Sequence, residues 1–249
     1  MALHARPASS DRRLTIVVLA AALLAGATAA RWAVTPGSEP AAGPVTPTPA
    51  ATTPGPPPTP GSGRAVPAAL VDGGLDLRAG PVPVPLELHV PTIGLRTSVV
   101  GVGITPEDVM DAPMGRADDA VWQQAFWYRG SAVPGSPSTA LIAGHVSGPG
   151  GGPGAFARID DLRPGDPVVV HDSRNGLAVS FAVTESRTYS IDEAAEPTAL
   201  ARIYGAGPVA GRAPQPSPDG LARLTLITCA GTFTNGTHDH RLVVYATRV

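Results

Sequence analysis

No lysine occurs among the 249 residues, so all 18 basic side chains are arginine. Schiff-base chemistry, a lysine nucleophile and a P-loop lysine are therefore excluded. The glycine run from Gly148 to Gly154 fails the Gly-Lys-Ser/Thr requirement of a phosphate loop and reads as a mobile surface loop. Cysteine is almost as scarce. Cys229 has no second cysteine to pair with, which excludes a disulfide scaffold. Charge is low as well. A formal net charge of −2 and a pI near 6.3 give no electrostatic case for nucleic acid.

What is present divides the chain into four parts. Residues 1–13 carry Arg6, Arg12 and Arg13 and read as a cytoplasmic tail. Residues 14–34 are mostly apolar, with an uncharged run to Ala30, closed by Arg31, that spans about 25 Å as a helix, close to a bilayer core. The basic flank predicts a retained signal anchor, with everything after residue 34 outside the cell membrane. A cleavable signal peptide is the competing reading, because Ala27-Thr28-Ala29-Ala30 offers small residues to a signal peptidase. Residues 35–83 form a linker, proline-rich from Thr35 to Pro67, that lacks apolar periodicity and reads as an extended, partly polyproline spacer.

Residues 84–249 read as one mostly β domain. Short apolar segments at Leu86–Val90, Thr97–Val102, Ala140–Ala143, Val168–His171, Leu177–Thr184, Leu221–Thr228 and Leu242–Thr247 are separated by turn residues. Leu177, Val179, Phe181 and Val183 alternate with smaller or polar residues, as a half-buried strand requires. Asn175-Gly176 marks a hairpin. Helical signals are few: Ser190 with Glu193 fits a capping box, and Pro197 and Gly205 bracket a short helix. Composition leaves a barrel and a sandwich both open.

Three side chains at the ends of apolar runs suggest nucleophilic acyl chemistry. Cys229 ends Thr225-Leu226-Ile227-Thr228-Cys229, His145 ends Leu141-Ile142-Ala143-Gly144-His145, and Arg241 opens the run Leu242–Ala246. A thiol becomes a useful nucleophile beside a histidine or a positive field, and acyl transfer needs a donor where negative charge develops. Each group also has a plainer reading: a buried cysteine packs as a small hydrophobe, and Arg241 can pair with Asp239.

The surroundings of these residues resemble the sortase family of cysteine transpeptidases. Thr225–Cys229 resembles the family's Thr-Leu-X-Thr-Cys signature, Ala143-Gly144-His145 its histidine motif, and His240–Ala246 its arginine-bearing strand. Val90–Gly94 and Leu162–Asp166 are similar to its first core strand and its Leu-X-X-Gly-Asp turn. Trp127-Tyr128, ahead of Pro134-Gly135, is similar to class F or class E members from actinobacteria. The resemblance runs from Leu86 to Val249 and implies a single closed antiparallel β-barrel of about eight strands with short helices. It further implies that Cys229 attacks the threonine carbonyl of a Leu-Pro-X-Thr-Gly-like sorting signal on surface proteins. His145 would then shuttle protons and Arg241 hold a backbone carbonyl or the oxyanion, with a peptidoglycan stem or cross-bridge amine as acceptor. Thr228 and His240 are further candidates for substrate contact.

Neither a cofactor nor a metal is expected. His238 and His240 form a His-X-His pair without a third ligand, and Asp160-Asp161 and Asp192-Glu193 do not match the carboxylate cluster with which class A members bind calcium. Residues 111–124 are placed to cover part of the cleft. Two other functions compete: an exported cysteine peptidase or hydrolase using the same Cys-His-Arg site, and a non-catalytic cell-wall-binding β-domain. The Ser-His-Gly-Cys-X-Arg run of L,D-transpeptidases is absent.

Overall fold

The computed structural model describes residues 76–106, 108–208 and 212–249. The expected membrane span at 14–34 and the proline-rich stretch lie outside them. Eight strands form the domain: β1 (Val82–Val90), β2 (Leu95–Val102), β3 (Ala125–Tyr128), β4 (Thr139–Gly144), β5 (Pro167–Asp172), β6 (Ala178–Ser190), β7 (Arg223–Thr234) and β8 (Thr237–Arg248). They close in the order β1-β2-β3-β4-β7-β8-β6-β5. The barrel is not wholly antiparallel, contrary to expectation. β2 with β3, and β4 with β7, run parallel.

Alternation along each strand sorts side chains onto two faces. Leu86, Leu88, Trp127, Ile142, Phe181 and Leu226 point into the barrel and share one core. Phe126, Leu141, Ile227 and Val243 point outward and are covered by a second apolar layer. That layer comes from α1 (Ile191–Ala195) and especially α2 (Pro197–Tyr204), which buries Ala199, Leu200, Ile203 and Tyr204 on one face. Full burial of each large apolar side chain contributes about 1.5–3 kcal/mol, so this outer layer adds materially to the fold. The capping box at Ser190 forms as its sequence predicts, with Glu193 bonding back to the Ser190 amide at 2.8 Å.

Local signals succeed unevenly. The Asn175-Gly176 connection is wider than a two-residue hairpin, and only Gly176 takes a positive φ, 69°. Leu177 falls in this turn and is 51% exposed, so it does not join Val179, Phe181 and Val183 inside. The tight hairpin lies elsewhere, at Asn235-Gly236 between β7 and β8, where φ is 53° and 82°. The glycine run expected to be a mobile loop is a tied turn. Gly148 N bonds Gly152 O at 2.9 Å, Gly154 N bonds Val146 O at 2.9 Å, and Ser147 bridges to Pro153.

Residues 76–80, just before β1, lie against the barrel. The buried Arg129 guanidinium donates to the carbonyls of Asp76 (3.0 Å), Ala79, Gly80 (3.0 Å) and Gly101 (3.3 Å). Leu77 O accepts from Ile104 N at 2.9 Å, and Arg78 pairs with Asp108 at 2.5 Å. This ties the chain's entry to the segment 103–124 that crosses from β2 to β3.

Candidate active site

The site is built on the outer face of β4, β7 and β8. Cys229 and Arg241 are direct cross-strand partners on β7 and β8. The parallel register of β4 with β7 ends at Ala143 opposite Ile227, and His145 and Cys229 lie two residues beyond each. The same strand parity therefore presents imidazole, thiol and guanidinium on one side of the wall. All three line one small pocket, with Met110, Ala112, Phe126 and Thr228 among its other walls.

His145 is held on every side. Its ring packs 4.6 Å from Trp122 and 5.0 Å, edge to face, from Phe126 (centroid distances). Nε2 lies 2.9 Å from the Pro113 carbonyl, which fixes the proton on that nitrogen, because only N–H can donate to a carbonyl. Its own carbonyl accepts from Phe156 N at 2.9 Å. Gly144 lets the Phe156 ring approach; an added Cβ would stand 2.7 Å from that ring. Thr228 Oγ1 donates to Gly144 O at 2.8 Å, joining the end of β4 to the residue before the cysteine.

Burial sets the electrostatics. Enclosure among aromatic rings lowers the His145 pKa below its ordinary 6.5, and the Pro113 hydrogen bond offsets part of that shift. Burial likewise raises the Cys229 thiol above its ordinary 9.0, opposed by the nearby Arg241 charge. Neutral thiol and neutral imidazole are thus the resting forms at neutral pH. Arg241 is 4% exposed, and its Nη1 donates to His238 O (3.1 Å) and His240 O (2.8 Å). Asp239 is engaged instead by His240 Nδ1 and Thr232 N, each at 2.7 Å. Among the described residues, no ion pair involves Arg241, so the plainer reading of a surface Arg–Asp pair is not what forms.

Of the five candidate residues, four line the pocket. His240 is not among them; its ring turns to Asp239. His238 packs on Phe233 at 5.0 Å, so the two rings of the His-X-His pair go to different neighbours. Among the described residues, no three metal-capable side chains gather. Sequence reasoning missed Trp122, Phe126 and the Pro113 carbonyl as partners of His145. Only the placement of 111–124 over the cleft hinted at them. A second cavity, of about 210 Å³, opens on the other side of His145 between Trp122, Met114, Phe233 and the 148–151 turn.

A sortase-domain family model matches residues 88–249. The chain belongs to the sortase family. Among solved structures, this sortase domain is similar to sortase A from Corynebacterium diphtheriae, at 22% identity and a TM-score of 0.44, over 68% of this chain and 61% of that one. It is also similar to sortase C-1 from Actinomyces oris, at 18% identity and a TM-score of 0.44, over 67% and 74% of the two chains. Pilus-related sortase C of Group B Streptococcus gives 18% identity and a TM-score of 0.42, over 66% of each. No curated protein matches the chain.

Proposed function

We propose that this sortase is a cysteine transpeptidase that cleaves a Leu-Pro-X-Thr-Gly-like sorting signal after threonine and passes the acyl group to a peptidoglycan amine. The reading rests on the pocket shared by Cys229, His145 and Arg241. Cys229 Sγ attacks the threonine carbonyl, giving a thioacyl enzyme and releasing the glycine amine. His145 takes the thiol proton and delivers it to that amine, then reverses the transfer for the incoming amine. Arg241 has guanidinium N–H groups beyond Nη1 available for the substrate carbonyl or oxyanion, and its planar fork suits that task.

Because both partners rest neutral, attack proceeds through the minor thiolate–imidazolium form or through proton transfer during attack. Arg241 favours the thiolate either way. Trp127-Tyr128 and Pro134-Gly135 support class E or F. The apolar span at 14–34 and the proline-rich stretch support a single-pass membrane anchor with the catalytic domain outside.

The test is to incubate the full chain with a Leu-Pro-X-Thr-Gly peptide and weigh the protein. A mass gain equal to the acyl fragment, lost in Cys229→Ala, is expected, and added amine should divert product from acid to amide. Acid alone at millimolar amine would favour the hydrolase. No adduct and no cleavage across a library of such peptides would favour the binding domain.

A further inference from the structure

Residues 76–80 fit the barrel more closely than a chain entry requires. Gly103 admits them: a Cβ there would overlap Leu77 O and stand 2.7 Å from Arg129 Nη2. Of the four carbonyls that converge on the buried Arg129 guanidinium, three belong to this strap. The strap in turn grips the start of the passage from β2 to β3. Leu77 O accepts from Ile104 N, and the Arg78 guanidinium donates to Thr105 O and to the Asp108 carboxylate, each at 2.5 Å. Asp108 has a left-handed backbone, φ 61°, which is uncommon for a residue other than glycine.

The grip lies one turn from the chemistry. That turn is closed at its base by the Ile104–Met110 bridge and by Asp111 N, which donates to Gly103 O at 3.0 Å. The chain leaving the base goes directly to the site. Met110 and Ala112 wall the thiol pocket, and Pro113 O accepts from His145 Nε2. An ion pair whose side chains are 51% and 36% exposed adds little to overall stability. Its place is more telling, because it braces a left-handed residue in the turn that carries the roof over the sulfur.

We propose that Arg78 and Asp108 are positioning residues for the reaction: with the strap docked, they hold the turn that sets Met110, Ala112 and the Pro113 carbonyl, and so fix the His145 ring. The functional part of this rests on the transpeptidase reading. Neither residue lines the thiol pocket. They act through Pro113 O, which keeps the proton on Nε2 and leaves Nδ1 free to take the thiol proton. A roof that lifts releases the ring and allows either tautomer. The site is complete only while the chain ahead of β1 lies against Gly103.

The experiment uses the full chain with nitrogen-15 in its histidine side chains and reads solvent exchange of the His145 Nε2 proton by NMR. His145 is buried, so that proton exchanges when the roof opens. Arg78→Ala and Asp108→Asn should each speed the exchange about two- to fivefold, the range by which an exposed ion pair shifts an equilibrium. The double variant should do no more than Arg78→Ala alone. Arg96→Ala removes a comparably exposed pair, with Glu87, that stays intact when the roof opens, and should leave the exchange unchanged. Gly103→Ala expels the strap outright and should lower kcat for peptide cleavage about tenfold, with no further loss when Arg78→Ala is added. Exchange unchanged in Arg78→Ala, or raised equally by Arg96→Ala, would overturn the positioning role, whether or not Gly103→Ala folds. So would full turnover in a folded Gly103→Ala chain. Each of these results leaves the transpeptidase reading intact. Absence of cleavage and of any Cys229 adduct in the unaltered chain would overturn that reading, whereas the exchange comparison needs no substrate.

Discussion

Thr228→Val removes one hydroxyl and nothing else of consequence, and it separates two roles for the residue before the cysteine. Thr228 is buried and donates to Gly144 O at 2.8 Å, so its loss forfeits a buried bond and strands a carbonyl. The net bond is worth about 0.5–1.5 kcal/mol, and an unsatisfied buried acceptor costs about 1–3 kcal/mol. We expect about 1–3 kcal/mol of destabilisation. At about 2–4 °C per kcal/mol for a domain of this size, the melting temperature should fall by roughly 3–10 °C. Because Gly144 precedes His145, looser anchoring there should lower kcat about tenfold, as misplacement of a catalytic group does, with KM nearly unchanged. Thermal melts and steady-state peptide cleavage on Thr228→Val and Thr228→Ser check this. Serine keeps the donor and should recover most of both quantities. A valine variant that melts normally but shows a raised KM would refute the latch and return Thr228 to direct substrate contact. A serine variant as impaired as valine would refute it as well.

Gly144→Ala should place a methyl against the Phe156 ring, 2.7 Å from it before relaxation, and overpacking of this kind costs about 1–3 kcal/mol. A melting temperature unchanged in Gly144→Ala would show that the ring yields. In kcat/KM against pH, the acid limb should lie below 6.5 and the alkaline limb above 9.0, following the lowered imidazole and raised thiol. The same shifts set stability. The folded imidazole binds its proton less readily than the unfolded one, so stability is lost as pH falls through 6.5; the folded thiol holds its proton more tightly, so stability is lost as pH rises past 9.0. Urea melts across pH 5 to 10.5 should show both declines. Arg241→Lys should lose most turnover, because an ammonium cannot reproduce the guanidinium fork that bonds two carbonyls and still faces the pocket; near-normal rates would displace Arg241 from the chemistry.

Much of the wall that carries the site is visible in the sequence. Cys229, His145 and Arg241 sit at the ends of apolar runs, and period-two alternation fixes their shared face once register is known. Register itself is not legible, because it depends on which strands meet. The parallel pairing of β4 with β7, which brings His145 level with Cys229, joins segments separated by more than 80 residues. β3 went unread because its Ala125–Tyr128 run is four residues long and all but Tyr128 are buried, so it has no alternation to find. Leu177 misled because alternation does not stop where a turn begins. Asn235-Gly236 carried the same dipeptide signal as Asn175-Gly176 and made the tighter turn; the difference lies in the Asp172 carboxylate, which gathers Arg174 and Asn175 into a wider loop. The enclosure of His145 by Trp122, Phe126 and Pro113 is a tertiary fact with no local signature.

Strand direction has a consequence for the roof over the sulfur. A parallel neighbour cannot be reached through a hairpin, so the passage from β2 to β3 must be long, and here residues 103–124 bring Met110 and Ala112 to the thiol pocket on the way. Pruning that passage to a tight turn would force the barrel to be re-threaded. Lengthening it costs only about 0.6 kcal/mol of closure entropy per doubling, which leaves this stretch the freest place to remodel what lies above the cysteine.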